Sequence, residues 1–243
     1  MARQYAIIDI ETRIDKELVK QVLFQDSNIT PEDAYLTYKQ KLLDESNGKS
    51  DFFPAMFHVP IVIGYGYARG QNLELVKVDT LPDGDQGIKT FWDIANSNAT
   101  LVTWNGRAFD LPVLELHAIR LGIQAPRYYN EKYGARYRYS DDGHYDLYDW
   151  VTNFGVTYFR GGLDTISKII GLPGKVGEIR GDSVQRAWEE GRIEEIKRYC
   201  RRDVVETYGI MLRIELVRGR LTQKDHDCGM QKCYALLEEF CAS

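Results

Sequence analysis

The stretch YAIIDIET, residues 5–12, decides how this chain is read. Tyr5 to Ile10 is a short, mainly apolar run that fits a buried strand, and its end turns polar at Asp9, Glu11 and Thr12. Side chains alternate along a strand, so Asp9 and Glu11, separated by one residue, project from the same face. Two like charges placed that way repel unless a cation sits between them. A solvated strand end also carries such a pair, so the meaning of D-x-E rests on what the rest of the chain supplies.

Working outward, a second strand is expected at Pro60 to Ala68 (PIVIGYGYA) and a third at Leu73 to Asp79. The residues between the first two strands, about 13–57, read as an insertion. Within it Thr30-Pro31-Glu32-Asp33 carries a capping hydroxyl, a first-turn proline and early acids, predicting a helix that continues from Ala34 to Leu43. Residues 46–50 read as exposed loop. Further on, helices are expected over 87–95, 111–121, 150–154, 164–170, 183–190 and 194–218, and strands over 100–104 and 144–147. Strands early, helices late, no repeat and no Pro/Gly-rich linker predict one mixed α/β domain spanning residues 1–243.

Composition narrows the function classes. The 243 residues are 44% apolar, which supports a sizeable core, and no run of 18 apolar residues exists to span a membrane. The first residues turn acidic before any cleavage-like site, so a cytoplasmic protein without a secretory leader is expected. Cys200, Cys228, Cys233 and Cys241 include no C-x-x-C pair, which argues against a disulfide framework and a structural zinc site. With 31 basic against 36 acidic residues the net charge is −5, so any nucleic-acid contact must come from a local basic groove rather than bulk attraction.

Further carboxylates stand where they could join Asp9 and Glu11. Asp110 follows Trp104-Asn105-Gly106-Arg107-Ala108-Phe109 at the start of a helix, where it reads either as a cap or as a site residue. Tyr199 and Asp203 stand four apart in the long helix and share a face. Val204, Val205, Ile210 and Leu212 make that helix apolar on one side, so Asp203 sits near the core boundary and needs a metal or a cationic partner; Arg201 and Arg202 are the rivals. Oxygen ligands suit Mg²⁺ or Mn²⁺, and two ions about 3.5–4 Å apart can hold the attacking and departing oxygens of a phosphodiester. The chain offers no G-x-S-x-G and no H-E-x-x-H. Gly171 to Lys175 is not a phosphate loop, because Ile169 occupies the first glycine position and Val176 follows the lysine; Lys175 either touches phosphate or solvates a turn.

In order, DIET at 9–12, NGRAFDLPVL at 105–114 and YCRRD at 199–203 resemble the three exonuclease motifs of the DnaQ-like, or DEDD, superfamily in its tyrosine-bearing branch. More narrowly, FFPAMFHVPIVIGYG, HYDLYDWVTNFG and YCRRDVVETYGIMLR are similar to the 3′-5′ exonuclease family related to the proofreading domain of family-B DNA polymerases. The resemblance implies a ribonuclease H-like fold whose first three strands are antiparallel. It also implies that Asp9, Glu11, Asp110 and Asp203 hold two divalent cations and that Tyr199 orients the attacking water. The implied reaction releases nucleoside 5′-monophosphates from a 3′ end of single-stranded DNA. RNA trimming by the same chemistry and a non-catalytic nucleic-acid-binding module are the alternatives. No polymerase domain fits in the remaining residues, so a proofreading role implies a polymerase or repair partner in trans.

For the substrate path, residues 127–139 (RYYNEKYGARYRY) interleave four cations with five tyrosines and one acid. Tyr128, Tyr129 and Tyr133 could stack on unpaired bases while Arg136 and Arg138 meet phosphates, unless the stretch is a packed surface loop. Asn105 and Phe109 are candidates for the terminal nucleotide, Phe109 as a stacking wedge or as plain core, and Thr12 is a further candidate for substrate binding. Asp146 is a candidate support for the site, whereas His144, Asp149 and His58 read as structural.

Overall fold

The computed structural model describes residues 3–159, 161–174 and 181–242, so Lys175 lies outside the described residues. In chain order the elements are β1 (Gln4–Ile14), α1 (Lys16–Leu23), α2 (Pro31–Glu45), β2 (His58–Arg69), β3 (Glu74–Thr80), α3 (Asp85–Ala95), β4 (Thr100–Thr103) and α4 (Asp110–Leu121). There follow α5 (Pro126–Asn130), β5 (His144–Asp146), α6 (Leu147–Val151), α7 (Gly162–Ile169), α8 (Val184–Glu189), α9 (Ile193–Val217) and α10 (Gln223–Ala242).

The strands form one sheet in the order β3-β2-β1-β4-β5. β1 pairs antiparallel with β2 and parallel with β4, β2 pairs antiparallel with β3, and β4 pairs parallel with β5. This is the ribonuclease H-like mixed sheet, with the first three strands antiparallel. Central β1 is covered on both faces, which is why its sequence is a near-continuous apolar run. Ile7 packs with Val204, Val205 and Tyr208 of α9, while Ala6, Ile8 and Ile10 pack with Phe91, Trp92 and Leu114 of α3 and α4.

β1 continues past the expected end at Ile10 to Ile14, because β2 keeps pairing with it as far as His58. The register shifts between Glu11 and Thr12, which face Val62 and Pro60 and leave Ile61 as the extra residue. Such a bulge bends the strand and re-aims its side chains. α9 crosses closely over β1 and β2 because two β2 positions lack a side chain. A Cβ on Gly64 would lie 2.8 Å from both Cys200 Sγ and Val204 Cγ2, and one on Gly66 would lie 2.9 Å from Val204 Cγ1.

Two longer helices were not anticipated. Asp15 caps α1 by accepting from the Leu18 N–H at 3.0 Å. Thr222 accepts from the Asp225 N–H at 3.1 Å at the start of α10, which buries Met230, Cys233, Leu237 and Phe240 at helical spacing. The short α5 is also additional. The helix expected over 150–154 begins earlier, at Leu147, where the Asp146 side chain caps it; Asn153 and Phe154 have φ of 49° and 58°, which ends a right-handed helix. α1 and α2 enclose a small core of Ile14, Val19, Ala34, Phe53 and Phe57, so the insertion has packing of its own. Among the described residues no helix is long and apolar enough to cross a membrane.

Arg218 and Arg220 tie the end of α9 to the 138–143 loop. Arg218 bonds Asp141 at 2.5 Å and the Tyr145 hydroxyl at 2.9 Å, and Arg220 bonds Asp141 at 2.9 Å. Although partial burial opposes it, these guanidinium groups pull the Asp141 carboxyl below its ordinary range. The unfolded state then binds more protons, so the contribution of Asp141 is present above its unfolded pKa of about 3.9 and is lost as pH falls through the folded value. Asp141→Asn should lower stability at pH 7, with the gap to wild type closing as urea unfolding is repeated at successively lower pH; a gap independent of pH would contradict this. Gly64→Ala should cost about 1–3 kcal/mol in the same assay, because Cys200 and Val204 must shift.

Candidate active site

The central strand, the start of α4 and the middle of α9 bring the four sequence-predicted carboxylates into one locality. Ligand atoms of Asp9, Glu11 and Cys200 all lie within 4.8 Å of one another. The Asp110 carboxylate accepts from the Ile10 N–H at 3.2 Å, which places it beside β1 between Asp9 and Glu11. Asp203 acts electrostatically on both Asp9 and Asp110, and the Tyr199 hydroxyl donates to Asp203. Glu11, Asp110 and Asp203 are buried and Asp9 is partly so.

Charge in this volume is uncomfortable. Desolvation first, then the negative charges of Asp203, Glu11 and Asp110, hold the Asp9 carboxyl well above the usual carboxylate range. Burial, with Asp146 and Asp203 adding, lifts Asp110 to about 7 against N–H bonds from its own backbone and Ile10. Burial and the neighbouring carboxylates also push the Tyr199 phenol upward, so it stays protonated. Of the rival cations, Arg202 donates to the Gly174 carbonyl at 2.8 Å, and Arg201 lies over the Phe240 ring at 5.1 Å. A hard divalent cation relieves like-charge repulsion among oxygen ligands, and these residues fit one. Cys200 does not make the site thiophilic. Its buried thiol is pushed well up by desolvation and by Asp9 and Glu11, and it lies 3.3 Å from Asp9 Oδ2 as a donor.

A loop clamp sets Asp110. Asn105 sits in the left-handed region at φ 60°, and its N–H and that of Arg107 both donate to the Asp146 carboxylate at 2.9 Å. Asp146 also caps α6, so one side chain joins the end of β5 to the loop leading into α4. His144 and Asp149 are structural in the same sense: His144 Nε2 meets Thr103 at 2.7 Å, and Asp149 pairs with Arg107 and Arg138.

Glu11, Thr12 and Tyr199 open onto a cleft of about 410 Å³, also lined by Phe52, Phe53, His58 and Phe109. Phe109 is half-buried at its rim, with ring centroids 5.1 Å from Phe52 and 4.8 Å from His58. Phe52 and His58 come from the end of the insertion and its junction with β2. Sequence reading missed both as site residues, although FFPAMFH is unusually aromatic for a loop.

The tyrosine-rich stretch is partly corrected. Tyr128 is 2% exposed, its hydroxyl donates to Glu115 at 2.8 Å and its ring packs edge-on against Trp92, so it presents no face to a base. Tyr129 stacks on Trp92 at 5.8 Å and carries Arg136 over its ring. The Trp92 platform in α3, distant in sequence, draws both tyrosines inward. Tyr133, Tyr137 and Tyr139 remain exposed in an edge-to-face series, while Arg138 is tied to Asp149 at 2.6 Å.

Residues 50–242 match the family described as a predicted 3′-5′ exonuclease related to the exonuclease domain of PolB. No curated protein matches the chain. The matched stretch includes Asp110, Tyr199 and Asp203 and begins after β1.

Asp146→Ala should release the 105–107 amides and cost about 2–3 kcal/mol in urea unfolding, the scale of hydrogen bonds to a charged group. Asp146→Asn, which keeps one carbonyl acceptor for the two amides, should lose less; no loss in Asp146→Ala would show that the clamp does not hold the loop.

Proposed function

The chain belongs to this 3′-5′ exonuclease family, and on that premise we propose that it shortens single-stranded DNA from the 3′ end, releasing nucleoside 5′-monophosphates with the help of two divalent cations. The observation that carries the proposal is the gathering of four carboxylates from three separate segments into one desolvated volume. Exonuclease domains of this kind use divalent metals, and the oxygen ligand set suits Mg²⁺ or Mn²⁺.

Asp9, Glu11 and Asp203 would hold one ion, and Asp9 with Asp110 the second. When bound, such ions lower the pKa of water and stabilise charge on the departing 3′ oxygen. Tyr199, kept protonated by burial and held by its bond to Asp203, orients the attacking water rather than deprotonating it. Phe109 and Phe52 present ring surface to the terminal nucleotide at the cleft mouth. Asn105 is set nearby by the Asp146 clamp. Farther along the nucleic-acid strand, exposed Tyr133, Tyr137 and Tyr139 offer stacking faces.

The test follows a 5′-labelled single strand with Mg²⁺, Mn²⁺ or chelator. A shortening ladder is expected with metal and none with chelator. Asp9→Ala should slow it about a thousandfold, the several kcal/mol that a bound metal supplies. Faster loss of a matched RNA strand would replace the DNA assignment with RNA trimming. Retention of the strand without shortening would replace catalysis with binding.

A further inference from the structure

The cleft contains a hydrogen-bond relay that the carboxylate chemistry does not use. Thr12 Oγ1 lies 2.7 Å from His58 Nδ1, and His58 Nε2 lies 3.1 Å from the Phe53 carbonyl oxygen. A carbonyl can only accept, so Nε2 carries the ring proton and Nδ1 presents a lone pair. Nδ1 must then accept, and the Thr12 hydroxyl spends its only proton on it. Burial, which pushes His58 below its ordinary pKa, agrees with a neutral ring. What Thr12 has left for the cleft is its oxygen lone pairs.

The relay is held firmly. The His58 carbonyl meets His117 Nε2 at 2.9 Å, the Phe57 carbonyl accepts from the Asp15 N–H at 2.8 Å, and Phe52 and Phe109 flank the His58 ring with centroids at 5.2 Å and 4.8 Å. Thr12 follows Glu11 along β1 at the bulge, and both line the same cleft as Tyr199.

We propose that His58 is a positioning residue that fixes Thr12 as an obligate acceptor for a sugar hydroxyl on the 3′-terminal nucleotide. This rests on the exonuclease reading, which puts the scissile phosphate at Asp9 and Glu11 and hence the terminal sugar beside Thr12. Hydroxyl groups are the only donors on that sugar, so an acceptor that cannot donate selects ends that carry one.

Four 5′-labelled strands of one sequence test this, ending in a 2′-deoxy, a 3′-deoxy, a 2′,3′-dideoxy or a full ribonucleotide. Each is assayed for cleavage with Mn²⁺ and for binding by fluorescence anisotropy in chelator. Wild type should favour a hydroxyl-bearing end over the dideoxy end by about 3- to 10-fold, one neutral hydrogen bond. The 2′-deoxy and 3′-deoxy arms identify which hydroxyl is read. Thr12→Val should bring the ratio to about one and His58→Phe should lower it, whereas His58→Asn, whose side-chain oxygen can stand in for Nδ1, should keep it. A merely structural role would slow all ends alike and leave the ratio unchanged. If wild type cuts every end equally, or Thr12→Val retains the preference, the proposal fails while the exonuclease reading stands. If no end is cut, that reading fails, and the binding ratio in chelator still decides the role of Thr12: loss of the preference in Thr12→Val supports it, and no preference overturns it.

Discussion

Like charges forced together out of water are the constraint around which this protein is built. Burial and mutual repulsion raise Asp9 and Asp110 far above ordinary carboxylates, and the backbone N–H of Ile10 offsets only part of that cost. Stability alone would favour apolar residues at these positions. Their presence on the central strand, at a helix start and on the longest helix makes sense when a divalent cation completes the cluster.

The fold supplies the convergence through close approaches. Gly64 and Gly66 let α9 lie against β1 and β2, which carries Tyr199 and Asp203 to Asp9. The bulge after Glu11 turns the end of β1 into the cleft, and Asp146 ties the loop before α4 to β5. The insertion packs on its own small core and returns to the sheet through Phe52, Phe53 and His58, so a segment outside the catalytic scaffold forms one wall of the cleft.

Much of this was legible in the sequence, for identifiable reasons. β1 announced itself because a strand covered on both faces must be apolar throughout, and α9 because its apolar side repeats at helical spacing. The four carboxylates and Tyr199 were found from motif order, and the chain brings them together. α1 and α10 escaped because their signals are single capping residues, Asp15 and Thr222, ahead of weakly apolar stretches. Tyr128 was misjudged because its fate is decided by Trp92, whose position only tertiary packing reveals. His58 escaped for a similar reason: its partner Thr12 is 46 residues away, across a strand pairing that the sequence does not print.

The family match begins at residue 50, so Asp9 and Glu11 enter the site through their place in the sheet rather than through the matched stretch. The account therefore stands on whether β1 and the matched segments share one metal centre. Anomalous diffraction from crystals soaked in manganese answers that directly. The account predicts anomalous peaks bounded by Asp9, Glu11, Asp110 and Asp203. Absence of any peak among these side chains at saturating manganese would contradict it.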